Sequence, residues 1–315
     1  MRLATFTYAG EQHCGVVDGD VVRPYAANLD ARTIIAAWPD APPLGDAVPL
    51  TQVRLRAPLS PASLRDFVAF EEHVSGVRRS VDGVAGVPDA WYDAPTFYFS
   101  NPHTIYGPDD DVPFPAASTA RDFELEVAAV VGPAGSIFGY TIFNDWSARD
   151  LQSREMQVHL GPAKGKDFAG SLGPWIVTAD ELEPYADRDG FLDLWCSAAV
   201  NGAEVGRDLL SNMGWSFPTL LAYAGRDSRL VAGDVLGSGT VGNGGCLAEL
   251  WGRTGRQEPP PLRDGDVVTL TVQGIGSLTN RVVSGPSQPS LTAVRRRDPA
   301  AARSAAATPH PSDPL

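Results

Sequence analysis

Two short stretches of the chain have residue types and spacing suited to chemistry. The first is Asp122-Phe123-Glu124-Leu125-Glu126, which runs into Val127-Ala128-Ala129-Val130-Val131. Successive side chains of a strand point to opposite faces. Asp122, Glu124 and Glu126 would therefore share one face, and Phe123, Leu125 and Val127 the other. Carboxylates at that spacing beside a buried strand repel one another and lose hydration. A hard divalent cation removes the penalty, because it takes oxygen ligands. An edge strand with a solvated polar face would show the same stripe. The second stretch is Asn144-Asp145-Trp146-Ser147-Ala148-Arg149-Asp150-Leu151-Gln152. Ser147 and Asp150 match the Ser-x-x-acid signature of a helix start, so a helix is expected from there to about Val158. Arg149 and Gln152, three apart, would share a face of it. Asp145 could be a ligand or a cap for that helix.

The elements that must position these residues read as mostly β. Leu3–Tyr8 alternates loosely, and Cys14 to Val22 reads as two strands around an Asp18-Gly19 turn. A short helix is expected near Ala31–Trp38, and Pro42-Pro43 marks a break. Residues 1–60 form a small N-terminal module in this reading. Thr96–Phe99 and Ile137–Phe143 read as strands. In the second half the expected strands are Trp175–Thr178, Leu192–Val200, Val235–Ser238, Leu247–Trp251, Val267–Val272 and Leu278–Val283, with one helix near Trp215–Ala224. Few segments alternate β with α, which argues against a doubly wound sheet and for a β-rich α+β roll. Residues 61–285 would form the main domain. Residues 286–315, rich in Pro, Ala, Arg and Ser and including Arg295-Arg296-Arg297, are expected to be a disordered tail.

A chain of 315 residues with 43% hydrophobic and 20% charged residues can bury a large core. The formal net charge of −13 argues against nucleic acid or an anionic membrane as the main partner. Cys14, Cys196 and Cys246 are too scattered for a zinc site or a disulfide framework. No apolar run long enough for a signal peptide or a membrane span is evident, so a cytoplasmic location is expected.

The strings above, with Leu160-Gly161-Pro162-Ala163-Lys164-Gly165-Lys166-Asp167-Phe168 and Gly173-Pro174-Trp175, resemble the fumarylacetoacetate hydrolase family in wording, order and spacing over roughly residues 60–285. The resemblance implies a mixed β-roll, a homodimer, a divalent metal and chemistry on carbon–carbon bonds of 1,3-diketone or 2-oxo acid substrates. It assigns the metal to Glu124, Glu126 and Asp145, and to Asp66, which precedes His73 with the family's spacing. Such a set suits Mg²⁺, with Ca²⁺ or Mn²⁺ as alternatives. His73 would be the general base, oriented by Glu249 on the strand expected after Gly237-Ser238-Gly239-Thr240. Lys166 would steady developing negative charge, with Lys164 open as the alternative. Arg149, Gln152, Tyr98 and Thr240 would hold substrate, although Tyr98 could equally be a core aromatic. Asp122 is left to a supporting or turn role.

Many shorter, decarboxylating members carry a His-x-x-Glu pair. Here Val74-Ser75-Gly76 follows His73, which tilts the expectation toward a hydrolase. The expected activity is metal-dependent hydrolysis of a 1,3-dicarbonyl or acylpyruvate-type compound, a small anionic dicarbonyl. The alternatives are an isomerase, tautomerase or decarboxylase of a 2-oxo dicarboxylic acid on the same metal site. A non-catalytic metal-binding scaffold would be expected to have lost a ligand or the base.

Overall fold

The apolar run after the carboxylates forms the strand Leu125–Val131, buried along its whole length. Its alternation feeds two cores. Leu125, Val127, Ala129 and Val131 pack with Cys196, Ala198, Leu270 and Val282. Ala128 and Val130 pack with Leu3, Ile34, Ile35 and Ile176 on the other face. A strand covered on both sides reads as continuous hydrophobicity, which is why its pattern is unbroken. In the computed structural model, which describes residues 1–26, 29–81 and 83–298, this strand lies inside a mixed 12-stranded sheet. It pairs antiparallel with Ile137–Asp145 on one side and with Val235–Gly237 on the other. Val235–Gly237 then runs parallel to Leu64–Phe67, which pairs antiparallel with Phe97–Ser100. A second, five-stranded sheet contains Trp195–Val200, Val267–Val272 and Gly276–Ser284. The β-rich α+β roll expected from the sequence is the fold found.

The N-terminal residues extend the main sheet. Arg2–Tyr8 pairs antiparallel with Gly170–Thr178, Leu3 opposite Ile176. Glu11–Asp18 and Val21–Pro24 close a hairpin at Gly19, whose φ of +59 suits glycine. The helix Ala31–Ala37 is capped by Asp30, which accepts the Thr33 N–H at 2.8 Å.

Two local expectations are corrected. Leu247–Trp251 is not a strand but the first part of the helix Leu247–Thr254. It buries Leu247, Ala248, Trp251 and Gly252, a spacing that fits a helix face as well as a strand. Gly255, at φ +69, ends it. The helix after Asp145 starts at Arg149 and stops at Met156, and Ser147 and Asp150 do not form a capping box. The Ser147 hydroxyl donates to the Asp145 carbonyl, and the Asp150 carboxylate accepts from Ser118 and Thr119. Among the described residues no helix is long and apolar enough to cross a membrane. Residues 286–298 have no helix or strand, and the rest of the expected tail, 299–315, lies outside the described residues.

Candidate metal centre and active site

Four separate segments bring carboxylates to one point. Asp66 comes from the strand Leu64–Phe67, Glu126 from Leu125–Val131 and Asp145 from the end of Ile137–Asp145. Glu124 sits in the two-residue break between Arg121–Asp122 and Leu125–Val131. One oxygen from each of the four lies within 4.8 Å of the others, and all four residues are buried. The sheet register makes the room. Gly237 stands opposite Asp66, and a Cβ on it would fall 2.6 Å from Asp66 Oδ1 and 2.8 Å from Glu126 Oε2. Any side chain there would fill the cradle.

The break at 123–124 also divides the stripe expected from the sequence. Asp122 turns away from the cluster. It accepts from the backbone N–H groups of Leu247 and Ala248, at 2.8 and 3.0 Å, and pairs with Arg149.

These residues fit a divalent cation. Asp66 Oδ1, Glu126 Oε1 and Asp145 Oδ1 are buried without a hydrogen-bond partner. Burial and the neighbouring carboxylates raise Asp66 and Glu126 well above the usual carboxylate range. Buried acceptors without donors are costly, and a hard cation is the partner that an all-oxygen set selects. The protein supplies part of the compensation itself. The Lys166 ammonium contacts both Glu124 and Asp145. Burial alone would favour its neutral amine, but Asp145 and Glu124 outweigh that and hold the ammonium form. Lys164 is on the surface, its side chain 69% exposed against 4% for Lys166, and pairs with Asp167. Gly165 lets the loop close in, since a Cβ there would meet the Gln152 backbone nitrogen at 2.6 Å.

Arg149 starts its helix beneath the cluster. Its guanidinium is bound at 2.8 Å to Asp122, 2.7 Å to Glu124 and 3.1 Å to the Gln152 side-chain oxygen. Burial would raise Glu124, but the charges of Lys166 and Arg149 outweigh it and keep its carboxylate ionised. The Tyr98 hydroxyl donates to Asp145 Oδ2 at 2.5 Å, from the position directly opposite Asp66 in the sheet. Thr240 is buried in the turn after Val235–Gly237, next to Gly239, whose N–H donates to Glu126 at 3.0 Å.

His73 lies in the first turn of the helix Glu71–Val81. Its Nε2 is 3.8 Å from Glu124 Oε1 and its Nδ1 3.7 Å from Cys246 Sγ. Burial lowers its pKa to about 4, so the ring is neutral at pH 7. The structure does not join His73 to Glu249. Glu249 belongs to a helix, not the expected strand, and packs against Gly76 one turn beyond His73. Its carboxylate pairs with Arg253 at 2.6 Å and accepts the Gly244 N–H at 3.3 Å, while its Oε2 has no partner. Burial raises its pKa to about 7. Cys246 stands between the two, since its sulfur also accepts the Glu249 N–H at 3.4 Å. Sequence reasoning weighed Cys246 only against a zinc site or a disulfide framework and gave it no part in the site. Its place just after the glycines and just before Leu247-Ala248-Glu249 was the available signal, because that is a helix N-cap position.

Known proteins resemble this chain along most of its length. Residues 63–283 match the family model described as fumarylacetoacetate (FAA) hydrolase C-terminal, and residues 1–58 match the model Rv2993c-like, N-terminal. A fumarylacetoacetase of Arabidopsis thaliana is 28% identical over 75% of this chain and 73% of its own length. The oxaloacetate tautomerase YisK of Bacillus subtilis is 29% identical over 74% of each chain. Among solved structures, a 5-carboxymethyl-2-hydroxymuconate delta-isomerase from Mycobacterium smegmatis superimposes with a TM-score of 0.68 at 28% identity, over 90% of this chain and 100% of that one. With the family model covering most of the chain and the carboxylates converging beside a buried lysine and histidine, the protein belongs to the fumarylacetoacetate hydrolase family.

Proposed function

We propose that the protein is a Mg²⁺-dependent hydrolase that cleaves a carbon–carbon bond in an acylpyruvate-type 2,4-dioxo acid. The observation that carries this reading is the four-carboxylate cluster, with its unpartnered oxygens, beside a neutral buried histidine. A divalent cation held by Asp66, Glu124, Glu126 and Asp145 would supply Lewis-acid polarisation of the substrate's keto oxygens. His73 takes a proton from water, and the resulting oxygen nucleophile adds to the acyl carbonyl carbon. The bond from that carbon to the methylene then breaks. Its electron pair leaves as the enolate of the 2-oxo acid, which Lys166 stabilises and which takes up a proton. The products are a carboxylate and a 2-oxo acid. Gln152 donates to a substrate oxygen, and Tyr98 and Thr240 line the inner end. Arg149, already bound to two carboxylates, orients Glu124 and Gln152. Glu249 completes the base when its side chain turns from Arg253 toward the His73 ring. The homodimer and the cytoplasmic setting belong to the same reading, supported by the family likeness, and light scattering checks the former.

One observation favours a second reading. The His73 ring meets Glu124 and Cys246 and not Glu249, and tautomerisation needs a proton acceptor but no activated water. Relatives of similar identity include a tautomerase and an isomerase. Incubation of acylpyruvates and oxaloacetate with enzyme and Mg²⁺ in H₂¹⁸O and in D₂O separates the two by mass spectrometry. Hydrolysis places ¹⁸O in the carboxylate product. Tautomerisation alone exchanges deuterium at the methylene and leaves the carbon chain intact, and that result would overturn the hydrolase reading.

A further inference from the structure

The helices Glu71–Val81 and Arg149–Met156 each bring a first-turn residue to the carboxylate cluster, His73 at 3.8 Å from Glu124 and Arg149 bound to it at 2.7 Å. Each presents a polar side chain near the cluster and an apolar one a turn farther out. His73 is followed by Val77 on one helix, and Gln152 by Met156 on the other, each pair four apart and so on one face. Between the two helices lies a cavity of about 350 Å³ whose lining includes these four residues and Trp91. The Trp91 indole is fixed in place, because its N–H donates to the Val68 carbonyl at 2.6 Å. The lining therefore changes from hydrogen-bonding at the inner end to hydrocarbon at the outer end. A ligand that matches it has its oxygens inward and an apolar chain outward.

We infer that the substrate's acyl group is an unbranched aliphatic or aryl tail of about four to six carbons. Four helical residues rise ~6 Å, which sets that reach. The tail runs past Val77, Trp91 and Met156. The inference rests on the reading of the cluster as a 2-oxo acid site. A tail ending in a second carboxylate is disfavoured, because it would place a charge against those apolar groups. Arg78 also lines the cavity, with one guanidinium nitrogen donating to the Gly86 carbonyl at 2.7 Å.

The test is titration calorimetry of the Mg²⁺-loaded protein with pyruvate, 2-oxobutanoate, 2-oxohexanoate, 2-oxooctanoate and 2-oxoadipate, alongside turnover of acetylpyruvate and hexanoylpyruvate. Affinity should rise by about fourfold per methylene along the monocarboxylate series, the effect of burying each CH₂. 2-Oxoadipate should bind more weakly than 2-oxohexanoate. Met156→Asp, at the half-exposed outer end, should collapse the ratio of 2-oxooctanoate to pyruvate affinity toward one, and Val77→Ser should reduce it. Equal affinities along the series, or tighter binding of 2-oxoadipate, would overturn the apolar tail. Failure of every 2-oxo acid to bind would overturn the tail and the proposed function together. Tail-graded binding without cleavage of either acylpyruvate would sustain the tail and sink only the hydrolase.

Discussion

Each residue of the carboxylate cluster carries a cost that its partners must offset. Asp66 is pushed toward its protonated form by burial and by Asp145, and Glu126 by burial and by Asp66. A cation that takes their oxygens must displace those protons. Mg²⁺ binding should therefore release protons. Calorimetry in two buffers of different ionisation enthalpy measures this, and identical heats in both would contradict the picture. Glu126→Gln should weaken Mg²⁺ binding beyond the ~10–100-fold that loss of a supporting partner costs. His73 makes a different pH prediction. Its folded pKa of about 4 lies below the unfolded value of about 6.5, so its contribution is present above the unfolded value and is lost as pH falls through the folded one. Thermal stability should fall between pH 6.5 and 4 by up to about 3 kcal/mol from this group. His73→Asn should flatten that part of the profile while leaving Mg²⁺ binding in place. Much of this was legible in the sequence. The Glu-x-Glu spacing and the Asn-Asp-Trp-Ser-Ala-Arg string picked out carboxylates that the fold brings together. The turning away of Asp122 was not legible, because the pull comes from backbone N–H groups at 247 and 248, over a hundred residues later.

Helices, more than strands, decide where the histidine sits. The helix Glu71–Val81 crosses Leu247–Thr254 at two glycines. A Cβ on Gly252 would fall 2.0 Å from the Gly76 carbonyl oxygen, and one on Gly76 would fall 2.5 Å from Glu249 Cγ. Backbone contact at this distance leaves no flexible side chain to yield. Gly252→Ala should cost about 1–3 kcal/mol by overpacking, read as a lower Tm in thermal melts. Because the His73 helix would have to lift away, turnover should fall more than Mg²⁺ affinity, as the four proposed ligands come from other segments. Unchanged melting and activity would show that the crossing does not hold His73. The second of these helices was misread from sequence as a strand. Leu-Ala-Glu-Leu-Trp satisfies either period when only five residues long, and the groups that select the helix are remote. Asp122 satisfies two of its first N–H groups, and the Cys246 sulfur a third.

The whole molecule is tied together by pairing of its N-terminal strand with the middle of the sequence. The sheet runs through the division expected at residue 60. Arg2 pairs with Val177 and Leu3 with Ile176. The same strand, Gly170–Thr178, pairs on its other edge with Ile137–Asp145, placing Gly170 opposite Asp145 of the carboxylate cluster. Pairings over 170 residues apart leave no trace in local periodicity, so the sequence showed the N-terminal strands without showing what they join. The second core cluster follows the same rule, with Leu3, Cys14, Ile34 and Ile35 covering Leu172, Ile176, Val130 and Phe138. Removing residues 1–58 should therefore strip a buried face and open the edge of the strand beside the metal centre. The shortened protein should bind a hydrophobic dye, aggregate on warming and lose Mg²⁺ affinity, although every proposed ligand remains. Leu3→Asp in the full chain offers a milder form of the same insult. It buries a charge without a partner, and a loss of at least about 3 kcal/mol is expected in denaturant unfolding. A shortened protein that stays monodisperse and binds Mg²⁺ as the full chain does would mean that the N-terminal strands are a separable cover. The site would then owe its geometry to the strands that carry its ligands and to nothing beyond them.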